Sequence, residues 1–113
     1  MMFKIQLDIY DHEIIVIFDK DIKSGVQRAE RHSGKRMKAG DKYFTGIRAL
    51  TWDALPQHTY IILTDKDPAV IAHESLHATW FVAERVGLNF KKDDEAQAYL
   101  LQYIMEKIIE KLK

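Results

Sequence analysis

The residues with the clearest chemical potential are His73-Glu74-Ser75-Leu76-His77, a His-Glu-x-x-His pentad in a segment of helical character. Two residues four positions apart lie one turn apart on the same helix face, so both imidazoles can reach one metal ion. The glutamate is rotated by about 100° around the helix axis, where it can act on a metal-bound water without being a ligand itself. The spacing therefore predicts a site for one Zn²⁺ ion of the kind that a zinc hydrolase needs.

A catalytic zinc site also requires a third protein ligand and a position open to water. The chain has no cysteine and no histidine after His77, so the third ligand is a carboxylate or an upstream histidine. The favoured candidate is Glu95, eighteen positions after His77, in the first turn of the next predicted helix. Asp94 projects nearer the apolar stripe of that helix and is the rival ligand. The alternative without a metal is a pair of partly buried histidines bonded to Glu84 or to the backbone.

The elements that position these residues follow from hydrophobic periodicity and from turn and cap signals. Strands are predicted over residues 3–9, 13–18, 42–52 and 59–64, and the first two form a hairpin. A helix that is capped by Asp19 and closed by Gly34 separates the two pairs of strands.

The metal motif lies on the next predicted helix, which starts at Asp67-Pro68 and ends at Gly87. Because that helix is apolar on several sides, we expect it to be central and buried. A last helix runs from a cap at Asp93 to about Leu112. The order ββαββαα predicts an α+β fold: one domain over residues 1–113, with a four-stranded sheet, a central metal-binding helix and a following helix that bears the third ligand.

The composition is that of an ordinary globular chain, with 47% hydrophobic and 30% charged residues, no net charge and no cysteine. Disulfides and cysteine-based zinc sites are therefore excluded. The longest apolar run, Ile14 to Phe18, is far shorter than a membrane span, and charged residues interrupt the first positions. We expect a cytoplasmic protein without a membrane partner. His12 and His32 are expected at the surface.

Residues 20–42 carry eight Lys or Arg against three acids. This stretch could contact nucleic acid. A solvated helix face and loop is favoured instead, because aromatic residues are not interleaved with the basic ones. Nucleic acid is therefore an unlikely partner.

The metal motif and the helix that follows it resemble those of known protein families. A His-Glu-x-x-His motif followed by a glutamate on the next helix is similar to the gluzincin arrangement of zinc peptidases. The segment Glu95-Ala96-Gln97-Ala98-Tyr99-Leu100 resembles the Glu-Ala-Asn-x-Phe-Ala stretch of the ImmA/IrrE-type metallopeptidases, and the chain is also similar to small metallopeptidase-like proteins encoded by phages. The resemblance covers about residues 58 to 104.

The resemblance implies a small zincin-like domain in which His73, His77 and Glu95 bind Zn²⁺. It also implies that Glu74 takes a proton from the metal-activated water and delivers it to the leaving amine of a peptide bond. The protein would then be a zinc-dependent metallopeptidase, an endopeptidase acting on a peptide or protein substrate.

Zincin peptidases lay their substrate along the edge strand that precedes the metal helix, which implies substrate binding by Thr59, Tyr60 and Ile61. Tyr99 is a further candidate, with His58 and Tyr60, as a donor to the oxyanion. Two other functions stay open. One is a catalytically inactive, metal-stabilised interaction module, such as a phage-type accessory protein. The other, weaker one is a nucleic-acid-associated protein that uses residues 20–42.

Overall fold

A computed structural model describes residues 1–37, 46–54, 58–89 and 91–113 of the chain. These residues form an α+β domain with a mixed four-stranded sheet and three α-helices, which confirms the predicted fold class. None of the helices in the described ranges has the length and apolarity needed to cross a bilayer. The elements are β1 (Met2–Leu7), a short 3-10 helix (Asp8–Tyr10), β2 (His12–Phe18), α1 (Ile22–Ser33), β3 (Ala49–Ala54), β4 (His58–Leu63), α2 (Pro68–Val86) and α3 (Asp94–Leu112).

The sheet has the strand order β1-β2-β4-β3. β1 and β2 form the predicted antiparallel hairpin, β2 runs parallel to β4, and β3 runs antiparallel to β4. The prediction that β4 is an edge strand is therefore wrong, because β4 is paired on both sides. Its sequence His-Thr-Tyr-Ile-Ile-Leu, buried on both faces after the first residue, is typical of an interior strand.

Helices cover both faces of the sheet. α2 and α3 pack against one face over a core that includes Ile14, Ile61, Val82, Ile104 and Ile108. α1 covers the other face, where a second core forms. Each face of β4 therefore meets a different helical layer, and β3 forms the edge beside α2.

Local signals set the ends of α2. The carboxylate of Asp67 accepts a hydrogen bond of 2.9 Å from the amide of Ala69, and Pro68 is the first helical residue. Gly87 closes the helix with φ 79°, a left-handed conformation that favours glycine. Both predicted ends of the metal-motif helix are confirmed.

Several predicted boundaries are wrong. The first strand ends at Leu7 instead of residue 9, because a 3-10 helix starts at Asp8. The cap of α1 is Asp21, whose carboxylate accepts a bond of 2.7 Å from Ser24, whereas the predicted cap Asp19 pairs with Arg28 at 3.5 Å. The third strand starts at Ala49 instead of residue 42, and residues 42–45 of that prediction lie outside the described residues. The same is true of the last five residues of the basic stretch 20–42.

Candidate metal centre

The two histidines of the pentad converge on the solvent-facing side of α2. Their Nε2 atoms lie 3.2 Å apart, and the His73 side chain is 68% exposed. Two imidazoles on one tetrahedral zinc, with Zn–N bonds of about 2.0–2.1 Å, place their nitrogens about 3.3–3.4 Å apart. The pair therefore fits two adjacent ligand positions of one zinc ion. Without metal, the same distance fits a hydrogen bond in which one ring nitrogen donates to the other.

The Glu74 side chain is turned from the exposed face of α2 toward the sheet. Its side chain is 8% exposed, and the Thr51 hydroxyl donates a bond of 2.8 Å to its Oε1. The other carboxylate oxygen, Oε2, lies 3.9 Å from His73 Nε2. One oxygen is thus held by β3, while the second lies beside the histidine pair.

A pocket of about 350 Å³ opens beside His73 and Glu74. The remaining lining is mostly small and apolar, from the start of β3 and the first turn of α2. These residues are Ile47, Arg48, Ala49, Asp67, Ala69 and Val70. The pocket has the size and character to hold a small apolar side chain next to Glu74.

The charges near this pocket are paired with each other. Arg48 donates to Asp65 at 2.8 Å and to Asp67 at 3.1 Å. A backbone hydrogen bond from Ala69 and the Arg48 guanidinium hold the pKa of Asp67 below its ordinary value, and the Asp67 amide and Arg48 do the same for Asp65. Both carboxylates are therefore ionised near neutral pH and offset the guanidinium.

The exposed face of α2 that carries His73 and His77 also carries exposed apolar side chains. The indole of Trp80 lies edge-to-face against His77, with ring centroids 5.9 Å apart, and is 45% exposed. Leu76, one turn after His73 and next to His77 in the chain, is 36% exposed. The histidine pair is thus bordered by apolar surface that is open to solvent.

The predicted third ligand does not complete this site. Glu95 and its rival Asp94 are both exposed in the first turn of α3, where the Asp94 carboxylate accepts a bond from the Glu95 amide. Across the described ranges, no three His, Cys, Asp or Glu side chains are placed to hold one metal ion. Binding by Glu95 therefore requires its side chain to change position. Glu84, the partner expected in the absence of a metal, is exposed on the same helix.

The residues expected to bind substrate lie elsewhere. Thr59, Tyr60 and Ile61 are fully buried within β4, whose backbone is paired on both sides by β2 and β3. The Thr59 hydroxyl bonds His12 Nε2 at 2.8 Å, and His12 is 2% exposed, which contradicts its predicted surface position. Tyr99 lies in a different groove, along α3 and the end of β1.

Three residues near the site were not predicted from the sequence. Thr51 donates a hydrogen bond to Glu74, Arg48 lines the pocket, and Trp80 packs against His77. Trp80 follows His77 by three positions, so helical spacing alone could have placed it on the metal face. Thr51 and Arg48 carry no such signal, because their contacts with α2 join separate elements.

Comparisons of the chain with protein-family models, with curated proteins and with solved structures found no match.

Proposed function

We propose that this chain is a small zinc-dependent metallopeptidase with a zincin-like arrangement. One observation carries the proposal: the Nε2 atoms of His73 and His77 converge to 3.2 Å, and a carboxylate oxygen of Glu74 lies 3.9 Å from the first of them. Two histidines bonded only to each other would not account for the buried Glu74 carboxylate beside them, one oxygen of which lies on the side of His73.

In this proposal His73 and His77 hold the metal, and Glu95 is the third ligand, with Asp94 as the rival. Zinc, when bound, lowers the pKa of a water molecule and polarises the substrate carbonyl. The base is Glu74: its Oε2 accepts the proton of the attacking water and passes it to the leaving amine. Thr51 occupies Oε1, which fixes the carboxylate plane and leaves Oε2 free for this transfer.

The substrate would be an extended peptide, and β3 is the strand suited to bind it. Among the strands of the described residues, β3 is an edge of the sheet, and Thr51 near its centre contacts Glu74. A peptide that pairs with the free side of β3 gains main-chain hydrogen bonds beside the base. The pocket next to Glu74 would then accept a small apolar side chain of that peptide.

The first experiment is elemental analysis of protein purified without an affinity tag. We expect about one zinc ion per chain, and His73→Ala and His77→Ala should lose it. A chain without stoichiometric metal would refute the proposal. Replacing Glu95 or Asp94 by the matching amide then identifies the third ligand, because only the true ligand lowers zinc affinity.

The second experiment compares Glu74→Gln with Glu84→Gln, the same change at an exposed position of the same helix. Glu74→Gln should keep zinc but abolish cleavage of a fluorogenic peptide library, whereas Glu84→Gln should cleave normally. Equal activity of the two variants would exclude Glu74 as the base.

A second candidate function is a metal-stabilised interaction module without catalysis. The observation that favours it is the exposed Leu76 and Trp80 beside the histidines, because apolar surface around a metal site also suits a protein partner. For such a module, the unmodified chain binds zinc but cleaves no peptide, and Glu74→Gln leaves zinc binding unchanged.

A further inference from the structure

The outer side of β1 is an open sheet edge. Met1 and Phe18 exchange two backbone hydrogen bonds, of 3.0 and 2.8 Å. Bonded and non-bonded pairs alternate along an antiparallel ladder, so Met2, Lys4 and Gln6 direct their N–H and C=O groups away from β2. In the sheet formed by the described residues, no strand lies on that side. These three residues can therefore bond another strand.

A groove of about 720 Å³ runs between the end of β1 and α3. It is apolar and open: among its lining residues, Ile9 is 85%, Tyr99 68% and Tyr103 40% exposed. Single exposed apolar side chains are ordinary, but three that share one groove beside an open strand edge indicate a surface for association.

The charges along this edge differ between its two ends. The groove at the end of β1 is lined by the acids Asp8 and Glu106. A smaller hollow follows along β1 toward its start. Its basic residues Lys4, Lys107 and Lys111 outnumber its acids, which are Glu110 and Asp8, and Asp8 lines both hollows. A two-fold axis through the middle of β1 would exchange the two ends. The acidic end of one copy would then face the basic end of the other, so the edge is complementary to itself.

We propose that two copies of this chain associate through β1, antiparallel and edge to edge, to form a continuous eight-stranded sheet in which α3 packs against α3. The register that places Lys4 opposite Lys4 is disfavoured by like charges. The next register centres the axis on Ile5 and places Lys4 opposite Gln6 of the second copy. Both of these residues have outward backbone groups, so this register forms hydrogen-bonded pairs.

The association leaves the candidate metal centre free. β1 and β3 are opposite edges of the sheet, and Glu74 is held by Thr51 of β3. Both metal sites of the pair would remain open to substrate. The inference is independent of the proposed function, since it requires neither zinc nor catalysis.

The test uses sedimentation equilibrium on the full chain and on a matched pair of charge variants at the exposed Gln6. We expect a monomer–dimer equilibrium that a zinc chelator does not change. Gln6→Lys creates two Lys–Lys pairs across the axis, and Gln6→Glu creates two Lys–Glu pairs. The dissociation constant should rise about 2- to 30-fold for the first variant and fall by a similar factor for the second.

Folding cannot explain that pattern. Within one copy Gln6 stands opposite Glu13, so Gln6→Lys should stabilise the monomer while it weakens the dimer. Tyr99→Ser, at a position that is 68% exposed, should also weaken association. A chain that remains monomeric up to about 0.5 mM overturns the proposal. So does a dimer that both Gln6 variants leave unchanged.

Discussion

The hydrogen bond between Thr51 and Glu74 should be one of the strongest side-chain contacts between β3 and α2. The hydroxyl donates at 2.8 Å to a carboxylate that is 8% exposed. Hydrogen bonds to charged groups contribute about 1.5–3 kcal/mol to stability, and neutral ones about 0.5–1.5 kcal/mol. Thr51→Val keeps the shape of the side chain but removes the donor. We therefore expect the free energy of unfolding to fall by about 1.5–3 kcal/mol at neutral pH.

Urea unfolding of a double-mutant cycle measures this contact. In the Glu74→Gln background the acceptor is a neutral amide oxygen, so Thr51→Val should cost only about 0.5–1.5 kcal/mol. Thr51→Ser retains the hydroxyl and is the control. The reasoning is refuted if Thr51→Val costs the same in both backgrounds, or if it is as stable as the serine variant. If Glu74 is the base, Thr51→Val should also lower peptide turnover without changing the zinc content.

Three further predictions concern stability and can be checked by urea unfolding. Gly25→Ala should destabilise the fold by about 1–3 kcal/mol through overpacking, because the new Cβ would clash with Ile62 Cγ2; unchanged stability would mean that α1 can shift. Burial and the nearby Arg85 charge lower the pKa of His12 below its ordinary 6.5, so the unfolded chain binds more protons and stability falls as the pH drops below about 6.5. His12→Gln should reduce that dependence, and an identical pH profile would contradict it. Asp67→Ala should cost about 0.5–2 kcal/mol by removing the cap of α2, and a loss near zero would assign the cap no role.

Features that depend on neighbouring residues could be predicted from the sequence. The ends of α2 follow from Asp67, Pro68 and Gly87, and the convergence of His73 and His77 follows from the helical period alone. Both need only interactions within one element. The convergence of the two histidines could therefore be predicted without knowing the order of the strands in the sheet.

Features that depend on pairing between distant segments could not be predicted in this way. The resemblance to zinc peptidases predicts that β4 is an edge strand, but β4 pairs in parallel with β2, which lies on the other side of α1 and β3 in the sequence. The His12–Thr59 bond spans 47 positions, and it buries a histidine that its turn-like surroundings in the sequence placed at the surface. The topology therefore decides which polar residues are structural.

The same distinction separates the two roles that we propose for the pentad. α2 alone brings the histidines together on its exposed face, whereas the orientation of Glu74 depends on the Thr51 hydroxyl, 23 positions earlier in β3. Metal binding and proton transfer would thus depend on different parts of the fold. A change in β3 can disturb the base and leave the histidine pair intact, while a change on the outer face of α2 does the opposite. A zinc-loaded chain without turnover is therefore the expected result of damage to β3, and it would show that the sheet, more than the motif, makes this helix catalytic.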